Sequence, residues 1–386
     1  DIERTLTGFW QDLLGVGQVG VQDDFFALGG HSLIAVRLFA MVRKAYRVDF
    51  PISVLFEAPT IAACAALIET RIGPQDGGVA GNPTNAPTRR FTHLVAMHEK
   101  DGGQKVPFFL VAGMFGNVLN LRHLAQLLGG DRPFYGLQAR GLYGDQPPHD
   151  TLRDAAADYI AELRQVQPHG PYLIGGFSGG GLTAWEMAHQ LEDAGETVAL
   201  LVLLDTPLPM RPALRRADKA LIKLAEVRAK GPGYLLDWAR ARWEWERGKR
   251  SGVTLTQAEG AFHNGAIEAA FRAALPGYDL PLRTGKTVLF RPALDRRWQV
   301  TGGNWVSAAK EYVFPDNDLT RFAPTLEVTE VLGDHDSMVL EPNVRVLAAR
   351  LRAVIMQAEA QTRDAAGDPA QGGSQSGPTT LSTAAE

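Results

Sequence analysis

Tyr172-Leu173-Ile174-Gly175-Gly176-Phe177-Ser178-Gly179-Gly180-Gly181 carries an apolar strand straight into glycines, and a helical pattern follows from Leu182. A strand that breaks on Gly-x-Ser-x-Gly and passes into a helix is the setting of a nucleophile elbow. The serine is held on a strained turn, and the flanking glycines remove side chains that would clash there. The amide of Gly179 then faces the oxygen on which negative charge develops during attack. A plain glycine-rich turn is the alternative reading. A phosphate loop is disfavoured, because no Gly-Lys-Ser/Thr follows and no early strand-turn-helix fingerprint is present.

Around this stretch, short continuous apolar strands alternate with helical patterns: helices at 120–128, 152–166 and 182–194, strands at 172–177 and 197–204. That alternation predicts a mostly parallel sheet covered by helices on both faces. Two earlier apolar runs, 93–98 and 106–112, flank Asp101-Gly102-Gly103 and read as a hairpin. Residues 207–281 interrupt the rhythm with helical sequence bearing Tyr234, Trp238, Trp243 and Trp245, and strands at 287–290 and 326–331 resume it. The interruption reads as a helical lid, whose aromatics either roof a cleft or simply pack helix on helix.

A serine hydroxyl is a poor nucleophile at neutral pH, so it needs an imidazole to take its proton and a carboxylate to orient that imidazole. Of the nine histidines only His189, His263 and His335 follow Ser178, as the chain order serine, acid, histidine requires. His189 lies about three turns along the helix that Ser178 opens, pointing away from it, and His263 lies in the lid. His335 sits in the loop Gly333-Asp334-His335-Asp336-Ser337-Met338 after a strand, where a base returns to the sheet's edge. For the acid, Asp205 ends the strand Val202-Leu203-Leu204, at the carboxyl edge where ligands gather in parallel sheets. Asp295, one strand later, is its competitor. The second oxyanion amide is expected after an early strand, in Gly113-Met114-Phe115-Gly116; Met114 is preferred, with Phe115 next.

Towards the N-terminus, Ile2, Leu6, Phe9, Trp10, Leu13 and Leu14 recur at helical spacing, as do Leu33, Val36, Ala40 and Met41 after Ser32. Residues 1–71 therefore read as a small bundle of about four helices, 72–92 as a flexible linker rich in Gly, Pro, Asn, Gln and Thr, 93–358 as the larger unit, and 359–386 as a disordered tail. With 386 residues, 45% of them hydrophobic, two cored units are expected. A net charge of −4 disfavours nucleic acid or an anionic membrane as a partner. One cysteine, Cys64, permits no internal disulfide and no cysteine metal site. No metal is expected, and a reducing cytoplasm fits. No signal peptide or bilayer-spanning run is visible, and a start at Asp1 in helical register suggests a piece of a longer polypeptide.

Asp23-Asp24-Phe25-Phe26-Ala27-Leu28-Gly29-Gly30-His31-Ser32-Leu33, followed by Leu55-Phe56-Glu57-Ala58-Pro59-Thr60, resembles the carrier domain of nonribosomal peptide and polyketide synthases. The resemblance implies that Ser32 bears 4'-phosphopantetheine, whose thiol holds the growing chain as a thioester. Local physics alone reads a serine before a helix as an N-cap, although free helix amides also favour a phosphate there. The remainder is similar to the terminal type I thioesterase of the same assembly lines, an α/β-hydrolase, through Tyr135-Gly136-Leu137-Gln138-Ala139-Arg140-Gly141-Leu142, the glycine-rich 175–181, Leu203-Leu204-Asp205-Thr206-Pro207 and Gly333-Asp334-His335. In that family the acid usually follows the strand after the nucleophile helix, which implies Asp205. Where the family often has His-Pro after its early strand this chain has Ala112-Gly113, a departure that bears on Met114.

The expectation is thus a four-helix carrier bundle followed by an α/β-hydrolase domain with a helical lid, the termination fragment of a modular synthase. An acyl or peptidyl thioester passes to Ser178, assisted by His335 and Asp205, and is released by hydrolysis or macrocyclisation. The implied partners are upstream synthase domains and a phosphopantetheinyl transferase; His31 leans towards peptidyl carriers. Two readings compete: a stand-alone serine esterase or lipase with an unrelated helical N-terminal domain, and a non-catalytic hydrolase-fold docking scaffold.

Overall fold

The computed structural model describes residues 1–30, 32–48, 50, 54–72, 91–98, 105–130, 132–142, 146–231 and 265–365. Most of the expected linker, the lid segment with Tyr234, Trp238, Trp243, Trp245 and His263, and the last part of the tail lie outside these residues.

Among the described residues the N-terminal unit has four helices: α1 Ile2–Leu14, α2 Ser32–Tyr46, α3 Val54–Glu57 and α4 Ile61–Ile72. Leu6 and Trp10, one turn apart on α1, are buried, and Gly15 ends the helix in the left-handed region at φ 67°. Trp10 meets Phe25 edge-on, centroids 5.1 Å apart. The loop before α2 is tied to the start of α4 by Phe25 N–H donating to Pro59 O at 2.8 Å. Cys64 is buried in this core, and its thiol pKa is pushed up to about 12 by burial. A thiol so held stays protonated and unreactive.

The larger unit is built on β1 Leu94–His98, β2 Phe108–Val111, α5 Arg122–Leu128, β3 Phe134–Leu137, α6 Leu152–Val166, β4 Tyr172–Phe177, α7 Gly180–Asp193, β5 Val198–Leu204, α8 Arg216–Lys230, α9 Gly265–Ala274, β6 Thr287–Pro292, three two-residue strands (β7 Trp298–Gln299, β8 Trp305–Val306, β9 Tyr312–Val313), β10 Glu327–Val331 and α10 Val344–Ala365. Seven strands form one sheet in the order β1-β3-β2-β4-β5-β6-β10. Only β1 is antiparallel to its neighbour; all other pairs are parallel. Strand side chains alternate between two apolar layers. Tyr172, Ile174, Leu201 and Leu203 join the layer under α6 and α7, while Leu173, Phe177, Leu200 and Val202 join that under α5 and α10. Burial on both faces is why these strands read as unbroken apolar runs.

Two expectations change, and one element is new. The runs at 93–98 and 106–112 form strands but not a hairpin: β1 pairs with β3, which lies between β1 and β2. All four β2 residues are buried, and that strand takes parallel partners on both sides, leaving the half-exposed β1 to the edge. The chain does not turn disordered at 359, because α10 continues to Ala365. Alanine favours helix there, and Glu359 accepts from the buried Arg132 at 2.8 Å. The small antiparallel sheet β7–β9, unforeseen, closes over Ile222 of α8.

Candidate active site

Ser178 is the first residue past β4 and Asp205 the first past β5. Each is pinned by the neighbouring strand: Ser178 N–H donates to Leu204 O at 2.8 Å and Asp205 N–H to Phe290 O at 2.7 Å. Both carry positive φ, 53° and 46°, strain that persists only where the surroundings over-determine it. Two glycines make the turn possible. A Cβ on Gly176 would lie 2.3 Å from Gly180 O, and one on Gly180 would lie 2.0 Å from Ala112 O.

His335 arrives from the loop after β10, held by Asp334 N–H donating to Ser337 Oγ at 2.9 Å and by the buried Met338. Its Nδ1 is 2.7 Å from Asp205 Oδ2 and its Nε2 is 3.0 Å from Ser178 Oγ. A carboxylate only accepts, so Nδ1 carries the proton and the Nε2 lone pair faces the serine. The ring stacks on Phe177 at 5.3 Å. The hydrogen bond to Asp205 holds the His335 pKa above its ordinary value, against burial. Burial by itself would raise the Asp205 carboxyl, but hydrogen bonds from His335 and Asn317 and the imidazole charge bring it below its ordinary value.

The other sequence candidates lie elsewhere. Asp295 Oδ2 accepts from Ala308 N–H at 2.7 Å, beside the small sheet. His189 Nε2 is 3.4 Å from Asp193 Oδ2 on its own helix. Met114 lies close to the elbow: a Cβ on Gly179 would be 3.3 Å from Met114 Cβ. Neither amide of this pair has a backbone acceptor among the described residues, as a site for a developing oxyanion requires. Asn317 is a member the sequence reading missed. Its Nδ2 donates to Asp205 Oδ1 at 3.1 Å and to Thr206 O at 3.0 Å, fixing the oxygen His335 leaves free. Its only signal is the turn-forming run Pro315-Asp316-Asn317-Asp318, which names a turn and not its destination.

A narrow cleft adjoins the elbow, lined by Gly113, Met114, Arg140, His149, Thr183 and Phe271. At the lining residue His149, the side chains of His93, His149 and Asp158 bring three ligand atoms within 4.8 Å of one another. Arg140 and His149 already donate to Asp158 Oδ2, at 3.3 and 2.8 Å, so its charge is met by the chain itself.

At the other serine, Ser32 opens α2, preceded by Gly29 at φ 93° and by Gly30, where a Cβ would lie 2.4 Å from the Phe25 ring. No acidic residue stands in the first turn of α2. A helix start of this kind offers backbone amides and the positive end of the dipole to a phosphate.

The phosphopantetheine attachment site family matches residues 4–68, and the thioesterase domain family matches residues 107–230. The chain is 32% identical over 392 residues to chondramide synthase of Chondromyces crocatus, an alignment covering 94% of this chain and 9% of that protein. It is 37% identical over 234 residues to indigoidine synthase of Dickeya dadantii, covering 61% and 14%. It therefore spans a small part of these relatives' length. Among solved structures, a four-domain nonribosomal peptide synthetase bound to AMP and glycine shares the fold over 92% of this chain and 26% of its own, at a TM-score of 0.51 and 23% identity. The two family matches, in this order on one polypeptide, make the chain a 4'-phosphopantetheine carrier domain followed by an α/β thioesterase domain, as in the nonribosomal peptide synthetases it resembles.

Proposed function

We propose that the chain ends a synthase's cycle: an acyl or peptidyl group held on the carrier moves to Ser178 and is released from it. The observation that carries this reading is the continuous hydrogen-bonded run from Ser178 through His335 to Asp205 beside the cleft. Bound at Ser32, 4'-phosphopantetheine supplies a thioester on a long arm.

Ser178 Oγ attacks the thioester carbonyl as His335 Nε2 takes its proton. Asp205, fixed by Asn317, stabilises the imidazolium that results. The amides of Gly179 and Met114 receive the charge on the carbonyl oxygen, and His335 returns its proton to the departing sulfur. The product is an ester on Ser178. His335 then draws a proton from water, which gives an acid, or from an amine or hydroxyl of the bound chain, which gives a ring.

The synthase names of the relatives support an assembly-line setting, and the proposal places this chain at its end, with upstream domains as donors and a phosphopantetheinyl transferase as activator. Among the described residues no helix is long and apolar enough to cross a membrane; a cytoplasmic setting belongs to the same proposal.

The test is to load Ser32 with a phosphopantetheinyl transferase and acyl or peptidyl coenzyme A, then follow intact mass. Loss of the acyl mass is expected from the wild-type chain, and persistence of the loaded arm from Ser178→Ala. Release by Ser178→Ala would sink the assignment, and no mass gain at Ser32 would favour a stand-alone esterase.

A further inference from the structure

The carrier and the hydrolase unit touch at a place that neither the cleft nor the hydrogen-bonded run explains. Leu119, in the 3-10 turn Leu119–Leu121 of the hydrolase unit, is 4% exposed, and its side chain belongs to the carrier's apolar cluster. Asn117 Oδ1 accepts from Leu119 N–H at 2.7 Å and pins the turn. Arg122, the first residue of α5, lays its guanidinium 4.0 Å above the ring of Phe26 in the carrier. Phe26 packs in turn on Phe25 and Phe56, with centroids 5.4 Å away in both cases. Phe56, on α3, packs against the carrier core and against the hydrolase layer under α5 and α10.

Each side of this contact is continuous with a reactive centre. Phe26 stands in the loop that leads to Ser32. Leu119 ends the segment that leaves β2 and carries Gly113, Met114 and Gly116 along the cleft. We infer that Phe26 and Phe56 of the carrier, with Leu119 and Arg122 of the hydrolase unit, form the docking contact through which the loaded carrier presents its cargo to Ser178. This deepens the proposed function and rests on it.

The chemistry suits a partner that must also leave. Aromatic rings, one arginine and one aliphatic side chain are the residue types that anchor interfaces, and a cation over a ring face gives direction to the fit. Burial lowers the Arg122 pKa and the nearby Asp24 charge opposes this, so the carrier supplies compensation for the desolvated guanidinium. Tethering raises the effective concentration of the carrier, so a contact this small suffices for capture while leaving the carrier free to visit upstream domains.

The experiment uses the full chain with Arg122→Ala and Arg122→Lys, read in two ways. One is the single-turnover rate at which a loaded Ser32 arm loses its acyl group, by intact mass. The other is kcat/KM for a soluble N-acetylcysteamine thioester of the same acyl group, which needs no carrier. Arg122→Ala is expected to slow arm release about tenfold while leaving the soluble thioester within about twofold, and Arg122→Lys to restore part of the loss. Unchanged or faster arm release in Arg122→Ala would overturn the docking role, as would an equal fall in both readouts. A wild-type chain inactive on both substrates would overturn the proposed function itself, and the docking role with it.

Discussion

Ser178 and Ser32 occupy similar places, each following glycine-bearing sequence where a helix begins, yet their surroundings differ. Ser32 opens α2 itself, in a unit whose described residues form helices and no sheet. Ser178 stands between β4 and α7, held at φ 53°, with its Oγ 3.0 Å from an imidazole 157 residues away in sequence. That imidazole does not come from the serine's neighbours. It comes from the far side of the sheet, delivered because parallel strands put every carboxyl end on one edge. A helix N-terminus by itself offers amides and a dipole, which suit an attached phosphate and do nothing to deprotonate a hydroxyl.

The largest effect that sharpens this contrast is expected from exchanging the two losses. Ser178→Ala should reduce release by at least ~10⁴-fold while the arm is still attached at Ser32. Ser32→Ala should show no mass gain with coenzyme A and transferase, yet retain hydrolysis of a soluble thioester and labelling by a fluorophosphonate. If Ser32→Ala also abolished soluble thioester hydrolysis, the separation of roles would break.

Next in size, Asp205→Asn should lower kcat on the soluble thioester by about 10³- to 10⁴-fold, through loss of the tautomer that points the Nε2 lone pair at Ser178. Asp295→Asn should leave kcat within about twofold, since among the described residues that carboxylate is bonded to a loop amide, that of Ala308. Equal losses at the two positions would refute the choice of acid.

The pH profile follows from the raised His335 pKa. Only the neutral ring accepts the Ser178 proton, so turnover should fall on acidification through a midpoint above the ordinary imidazole value of about 6.5. Asp205→Asn removes the charge and hydrogen bond that raise this pKa, so its residual activity should lose the limb at a lower pH. A limb that stays in place would mean that another group titrates.

The smallest effect belongs to Asn317→Ala, which frees Asp205 Oδ1. A loss of about tenfold in kcat is expected, equivalent to about 1.4 kcal/mol, with KM little changed. A change confined to KM would move Asn317 from positioning the acid to touching the substrate.

Much of the site was legible because its local pieces are local in cause. Thr151 caps α6, accepting from Asp154 N–H at 3.0 Å, and the helix keeps the expected bounds of 152 and 166. The elbow announces itself through Gly176 and Gly180, since no other residue fits beside the backbone there. The pairing of β1 was misread, because Asp101-Gly102-Gly103 describes a turn and says nothing of the strand that later enters beside it. The α10 extension past Glu359 meets Arg132, far away in sequence, through an ion pair. Asn317 is announced only by a turn-forming run, which does not name where the turn goes.

The amino-acid order determined which residues are chemically able to act: an apolar run breaking on glycines around a serine, a carboxylate ending the next strand, a histidine in a late loop. Proximity was decided by the tertiary structure. Asp205 and Asp295 both follow strands of the same sheet, but only Asp205 meets His335, because the loop after β10 folds back towards the end of β5 while the small sheet takes Asp295. The same holds for Leu119 and Arg122 against Phe26 and Phe56. Backbone preference is set by neighbours along the chain, whereas a proton path or a docking surface requires side chains from distant segments to share a few ångströms, which only packing of the whole sheet and its helices supplies.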